Sequence, residues 1–261
     1  MICAPFLPMP RHDGRHWMER SDAMKTIGLI GGMSWESTAV YYRQINEAMR
    51  ARLGGLHSAE ILLHSVDFDS VVKLQKADAW DEAGRLLGRA AAGLEQAGAD
   101  CVLICTNTMH LVADAVAGAV AVPLIDIIDE TGKALAAAGR TRPLLLATRY
   151  TMEHGFYAER MRALHGIEVL VPEAADRGTV HSVIFDELCR GVIRDESRAA
   201  LLEIVARGIA AGADSVVLGC TEICLLLDPD ALPCPGFDST ALHARAAVDF
   251  ALDREARRRV A

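Results

Sequence analysis

The sequence predicts an α/β protein of two similar lobes, each a parallel sheet flanked by helices, with a site in the cleft between them. Three observations predict it. Short apolar runs alternate with helical stretches along most of the chain, the pattern of parallel strands joined by crossover helices. The segment AGADCVLICTNTMH (97–110) returns without a gap as AGADSVVLGCTEIC (211–224). Both copies run from a helix end through A-G-A-D and an apolar strand into a polar cluster, and such a repeat implies two related units.

The chain has 261 residues, enough for one large domain or two ordinary ones. Hydrophobic residues make up 51% and charged residues 24%, so a sizeable core can be buried. The formal charge is −8 and the pI about 5.6. There is no basic stripe with interleaved aromatics and no apolar stretch of membrane-spanning length, so neither nucleic acid nor a membrane is an expected partner. A small molecule is. The seven cysteines are odd in number and irregular in spacing, which fits a reduced, cytoplasmic setting better than a disulfide scaffold. Cys101/Cys105 and Cys220/Cys224 are spaced C-x3-C, whereas zinc knuckles favour other spacings and need further ligands; no metal is expected. Residues 1–23 mix Pro, Arg, His and Asp. They read as a disordered extension, too broken for a signal peptide.

The regular pattern starts with KTIGLIGG (25–32), a buried strand ending in a glycine turn. Ser34 is placed to cap a helix over 36–53. EILLHSVDF (60–68) reads as a strand. The stretch 80–98 is an amphipathic helix closed by Gly98. CVLICTNT (101–108) is a strand leading to a helix that runs to about residue 120. PLIDI (123–127) opens the second set, with PLLLAT (143–148), EVLVP (168–172) and SVVLGC (215–220) as further strands and 196–212 among the helices. The expected lobes are residues 24–122 with 235–261, and residues 123–234.

The repeat fixes a register. Cys105 aligns with Gly219, Thr106 with Cys220, Asn107 with Thr221 and Thr108 with Glu222. Adjacent strand residues face opposite ways. If Cys220 faces the cleft, so does Thr106, and Cys105 points into the core as an inert thiol. Taken alone, Cys220 would read as a core cysteine and Asn107-Thr108 as a helix cap; the repeat, with small polar groups at the same point in both copies, favours a site. His110 is expected to pack on its own helix. Two groups facing each other across a substrate suit inversion of a stereocentre: one removes a proton from carbon and the other returns a proton to the opposite face. A strand-to-helix junction lowers a thiol's pKa and offers backbone N–H groups to a carboxylate. Asn107, Thr108 and Thr221 can complete that cradle.

The glycine turn GLIGGMSWEST, the first-lobe CTNTMH and the second-lobe GCTEI, in this order and at domain-scale spacing, resemble the aspartate/glutamate racemase family over about residues 25–252. The resemblance implies two pseudo-symmetric α/β lobes, a homodimer in amino-acid metabolism, no cofactor, and one acid/base residue per lobe. The family's first-lobe motif reads Cys-Asn-Thr, and here Thr106 replaces the cysteine. The match is closest to a Thr/Cys subgroup acting on L-aspartate and L-glutamate, in which the second-lobe cysteine serves the L-face; this implies Cys220 and Thr106 as the catalytic pair. The family's basic residues for the side-chain carboxylate are absent: HSVDFDSVV has no Arg, and Cys189 in FDELCRG stands at the Lys position. Arg149, in LATRYT at a strand end, is then the first candidate for that role, about as readily read as a surface arginine, with Arg52 and His57 behind it. Met33, Thr148 and Glu222 complete the expected substrate contacts. The alternatives are a hydantoin racemase, a maleate isomerase or an arylmalonate decarboxylase on the same scaffold, or a binder of small acids that has lost one catalytic group.

Overall fold

In the computed structural model residues 24–253 are described; the expected extension over 1–23 lies outside them. The first sheet is built around β1 (Ile27–Gly31), between β2 (Ile61–Ser65) and β3 (Cys101–Ile104), with β4 (Leu124–Ile125) beyond β3. All its pairings are parallel, with Ile27 opposite both Ile61 and Cys101. The second sheet has the order β5 (Pro143–Leu146), β6 (Ser215–Leu218), β7 (Gly236–Asp238), also parallel.

The central strands β1, β3, β5 and β6 are buried along their whole length, which is why they read as continuous apolar runs. Helices cover both faces of the first sheet. On one face α2 (Phe68–Lys76) and α3 (Trp80–Gln96) pack with Ile30, Val102 and Ile104. On the other, α1 (Trp35–Leu53) and α10 (Ser239–Leu252) bury Tyr41, Ile45, Met49, Ala247 and Val248 against Leu29 and Leu103. In the second lobe α5 (Ile127–Ala137), α7 (Phe156–His165), α8 (Ala174–Ser182) and α9 (Asp195–Ala210) enclose Leu144, Leu146, Val216 and Leu218.

The A-G-A-D repeat has a structural cause. Gly98 and Gly212 take φ values of +104° and +96° just past α3 and α9, the left-handed stop that glycine adopts without penalty. The aspartates then tie each strand to its neighbour. Asp100 accepts the Thr26 N–H at 2.7 Å, and Asp214 accepts the Thr141 N–H at 2.7 Å. Beyond the strands the ladders extend by one residue in register, Cys105 N–H donating to Ile30 and Gly219 N–H to Leu146.

The lobe boundaries differ from those expected. Residues 123–127 do not open the second sheet, because β4 pairs with β3. Residues 235–261 do not all belong with the first lobe, because β7 pairs with β6 before α10 crosses back. Two-residue and three-residue strands carry too little pattern to show which sheet they complete. Residues 168–172 form no full strand: only Leu170 bridges to Leu144. After β3 the chain makes a 3₁₀ turn (Thr108–Val112) and a short helix, α4 (Ala113–Ala117), in place of one long helix.

Candidate active site

Thr106 and Cys220 each stand two residues past the end of the middle strand of a sheet, and both line one cavity between the lobes. Its wall also includes Met33, Ser34, Ser37, Phe68, Gln75, Asn107, Thr108, Thr148, Ile184, Phe185, Cys189, Thr221 and Glu222. The free space is about 30 Å³, so the cleft is closed and the lobes must part for an amino acid to enter. Hydrogen bonds between the lobes close it. Ser34 Oγ donates to Glu222 Oε1 at 2.7 Å, the Ser37 and Thr221 hydroxyls meet at 2.7 Å, and the Thr108 hydroxyl meets those of Thr148 and Thr151 at 2.9 and 3.0 Å. A roomier, open groove along α3, lined by Trp80, Arg85, Arg89 and His154, contains no thiol.

Ser34 does two jobs. It caps α1 by accepting the Ser37 N–H at 3.2 Å, and it reaches across to Glu222. The two polar clusters open as 3₁₀ turns over Thr108–Val112 and Thr221–Leu225. The first N–H groups committed within each turn are those of His110, to Asn107, and Ile223, to Cys220; those of Thr108 and Thr221, residues of the cavity wall, open the two turns and can meet an anion. Asn107 donates through Nδ2 to Ser239 Oγ at 3.1 Å, while its buried Oδ1 has no partner. A buried acceptor without a donor is costly, and a ligand ammonium or N–H would satisfy it.

The electrostatics of Cys220 depart from the expectation of a lowered pKa. Burial raises it well above the ordinary thiol value, and the Glu222 carboxylate raises it further. The Cys220 thiol donates to Glu222 Oε2 at 3.0 Å. The Glu222 backbone N–H pulls the other way, as a turn N-terminus should, and is outweighed. Cys189 is pushed up to about 12 by burial, then by the carboxylates of Glu222 and Glu36.

Cys105 is fully buried with Tyr41, Leu103 and Ala244, and burial raises its pKa far out of the working range. His110 does more than pack on its helix. Its Nδ1–H donates to the Thr106 carbonyl at 2.8 Å and its Nε2 accepts the Ile127 N–H at 3.1 Å, so it holds the turn at Thr106 against α5. Burial lowers its pKa and keeps it neutral, as both bonds require.

Of the expected substrate contacts, Met33, Asn107, Thr108, Thr148, Thr221 and Glu222 line the cavity. Arg149, Arg52 and His57 do not. Arg149 is exposed, 3.9 Å from Glu153. The strand end sends Thr148 into the cleft, and α6 (Arg149–Glu153) turns the next residue outward. Arg52 pairs with Asp249 at the far end of α1, and His57 is exposed in the loop beyond it. Ser34, Ser37, Phe68, Gln75, Ile184, Phe185 and Cys189 join the site without having been picked out as contacts. Only Cys189 carried a signal, its position in FDELCRG. Among the described residues no group of acidic, histidine and cysteine side chains is arranged to hold a metal, and no helix is long and apolar enough to cross a membrane.

Comparison with known proteins agrees with this fold. The sequence pattern of the Asp/Glu/hydantoin racemase family matches residues 30–247. A solved structure from Yersinia pestis, named as a candidate Asp/Glu racemase, is 48% identical with a TM-score of 0.83, covering 88% of this chain and all of that one. An aspartate racemase homologue from Pyrococcus horikoshii is 32% identical with a TM-score of 0.78, over 88% of this chain and all of that one. The broad specificity amino-acid racemase RacX of Bacillus subtilis is 21% identical over 228 residues, 85% of this chain and 96% of RacX. With two parallel-sheet lobes closing on a threonine and a cysteine at equivalent strand ends, and a family pattern spanning both lobes, this chain belongs to the Asp/Glu/hydantoin racemase family and is an enzyme of the racemase class of isomerases.

Proposed function

We propose that the protein is a cofactor-independent amino-acid racemase in which Cys220 and Thr106 serve opposite faces of the α-carbon. The observation that carries this reading is their shared cavity, with the Cys220 thiol already hydrogen-bonded to a buried carboxylate. The α-carboxylate would lie on the N–H groups at the openings of the two 3₁₀ turns. The α-ammonium would answer the unpartnered Asn107 Oδ1. Glu222 then takes the thiol proton, and the sulfur removes the α-proton from the L-enantiomer. Thr106 Oγ delivers a proton to the other face. The cycle closes when the proton held on Glu222 returns to Thr106 through water or hydroxyls of the cleft.

The resemblance implies aspartate or glutamate as substrate, handled preferentially in the L-form. The α-carbon chemistry does not depend on the side chain, and the lining of the cavity bears on it separately. The reading also takes the enzyme as a cytoplasmic homodimer. The described cysteines are all unpaired, and the exposed Trp35, Tyr42 and Leu63 offer apolar surface for a second subunit; sedimentation of the purified protein checks it.

The experiment is exchange of the α-proton in D₂O, followed by chiral analysis, with no pyridoxal phosphate added. Racemisation by the parent protein and none by Cys220→Ala is expected. A Cys220→Ala variant as active as the parent would sink the reading, and a protein that merely binds a small acid would exchange nothing.

A further inference from the structure

We propose that the substrate carries an uncharged side chain, so that the enzyme racemises neutral amino acids in preference to dicarboxylic ones. The inference rests on the racemase reading and concerns the same cavity. No Arg, Lys or His lines it, and its one ionisable carboxyl group, Glu222, already accepts from Ser34 and Cys220. The charges that act on its thiols are carboxylates: Glu222 on Cys220, and Glu222 with Glu36 on Cys189. The Thr108 and Thr221 N–H groups that open the two turns suit one carboxylate, that of the α-carbon. A second carboxylate would enter a closed space with no cation to pair with, and an unpaired buried charge is among the most costly groups a protein can hold.

The cations closest in sequence face outward. Arg149, beside Thr148, is exposed next to Glu153 and has His181 at its backbone; the His181 ring packs on Phe185 at 4.7 Å. Arg190, beside Cys189, is exposed and 3.8 Å from Asp186. What the cavity offers a side chain is Phe68, Phe185 and Ile184 as apolar wall, with the Gln75 amide and the Thr148 hydroxyl as neutral polar groups. Those groups match an aliphatic, hydroxyl or amide side chain.

The test uses isosteric pairs that differ in charge and little else: glutamine against glutamate, and asparagine against aspartate. Initial rates of α-deuterium exchange from each L-enantiomer give kcat/KM. The amides should exceed the acids by roughly a hundredfold or more, as for a site that leaves one group unpaired. Acids equal to or faster than their amides would overturn the inference and leave the racemase reading intact. Exchange from none of the four, nor from alanine, serine or methionine, would overturn both. Cys189→Lys places a cation in the wall and should narrow the gap about tenfold or more. An unchanged gap in an active, folded Cys189→Lys protein would assign the discrimination to shape and overturn the electrostatic argument.

Discussion

The thiol of Cys220 donates to the carboxylate of Glu222 at 3.0 Å, inside a cavity that also buries that carboxylate against Ser34. The resting pair is thus thiol and carboxylate, and the proton that must leave sulfur before it can act as a base has an acceptor in place. Replacement Glu222→Gln removes both the acceptor and the charge. We expect kcat/KM to fall by about 10² to 10⁴, the usual weight of one acid–base group, while the Cys220 pKa moves down. The pH dependence of iodoacetamide alkylation reads the second effect. A fall in activity with an unshifted alkylation profile would reduce Glu222 to a structural role.

Activity and stability should move in opposite directions at alkaline pH. The raised Cys220 pKa means that thiolate becomes more abundant as pH rises, so kcat/KM should climb above neutrality. Burial pushes Cys101 up to about 12 and raises Cys105 further. A group raised in the folded state stabilises fully below its unfolded pKa, about 8.5 for a thiol, and that contribution is lost as pH rises toward the folded value. Urea midpoints should therefore decline above roughly pH 8.5 in the same range where the rate climbs. A rate that peaks at neutral pH would show that thiolate formation does not limit turnover.

Acid should destabilise the fold through His243. Burial depresses its pKa to about 3. It accepts from the Tyr41 hydroxyl at 2.8 Å and donates to the Ile125 carbonyl at 2.7 Å, tying α10 to α1 and β4. The neutral ring stabilises fully above the unfolded pKa of about 6.5, and the contribution is lost as pH falls toward 3, at up to about 1.4 kcal/mol per pH unit. His110 is depressed as well and adds in the same direction. Denaturant unfolding at pH 7 and pH 4.5 measures the slope, and His243→Gln should flatten part of it.

The two cysteines near the strand ends should separate cleanly. Cys220→Ala is expected to abolish turnover in a folded protein. Cys105→Ala, in the core beside Tyr41 and Leu103, should cost on the order of 1 kcal/mol of stability and leave the chemistry intact. A folded but inactive Cys105→Ala protein would mean that the register of the first lobe has been misread.

Exchange should be asymmetric between enantiomers. A threonine hydroxyl stays protonated at neutral pH, so it is a poor base on its face, whereas Cys220 has Glu222 to relieve it of its proton. Wash-in of deuterium should be faster from the L-enantiomer than from the D-enantiomer, while the end point stays at one to one. Thr106→Cys should raise exchange from the D-enantiomer. Equal rates from both enantiomers in the parent enzyme would show that Thr106 is activated or is not the second catalytic group.

The repeat made the two-lobe plan and the register of Thr106 against Cys220 legible from sequence. A glycine stop, an aspartate on the neighbouring strand and an apolar run are local devices, and each lobe writes them out in the same order. Such patterns fix what happens within one element and its immediate neighbour. The short strands β4 and β7 lacked enough pattern to declare their sheets. The contact of Ser34 with Glu222 joins residues 188 apart, and no local pattern specifies it. Only packing of the lobes buried the Glu222 carboxylate against Ser34, raised the Cys220 thiol by burial and left the cavity lining without a cation. Those three outcomes set the protonation state and the charge that a substrate can bring. They belong to the tertiary structure because pKa and desolvation depend on what surrounds a group in space, whatever its neighbours in the chain.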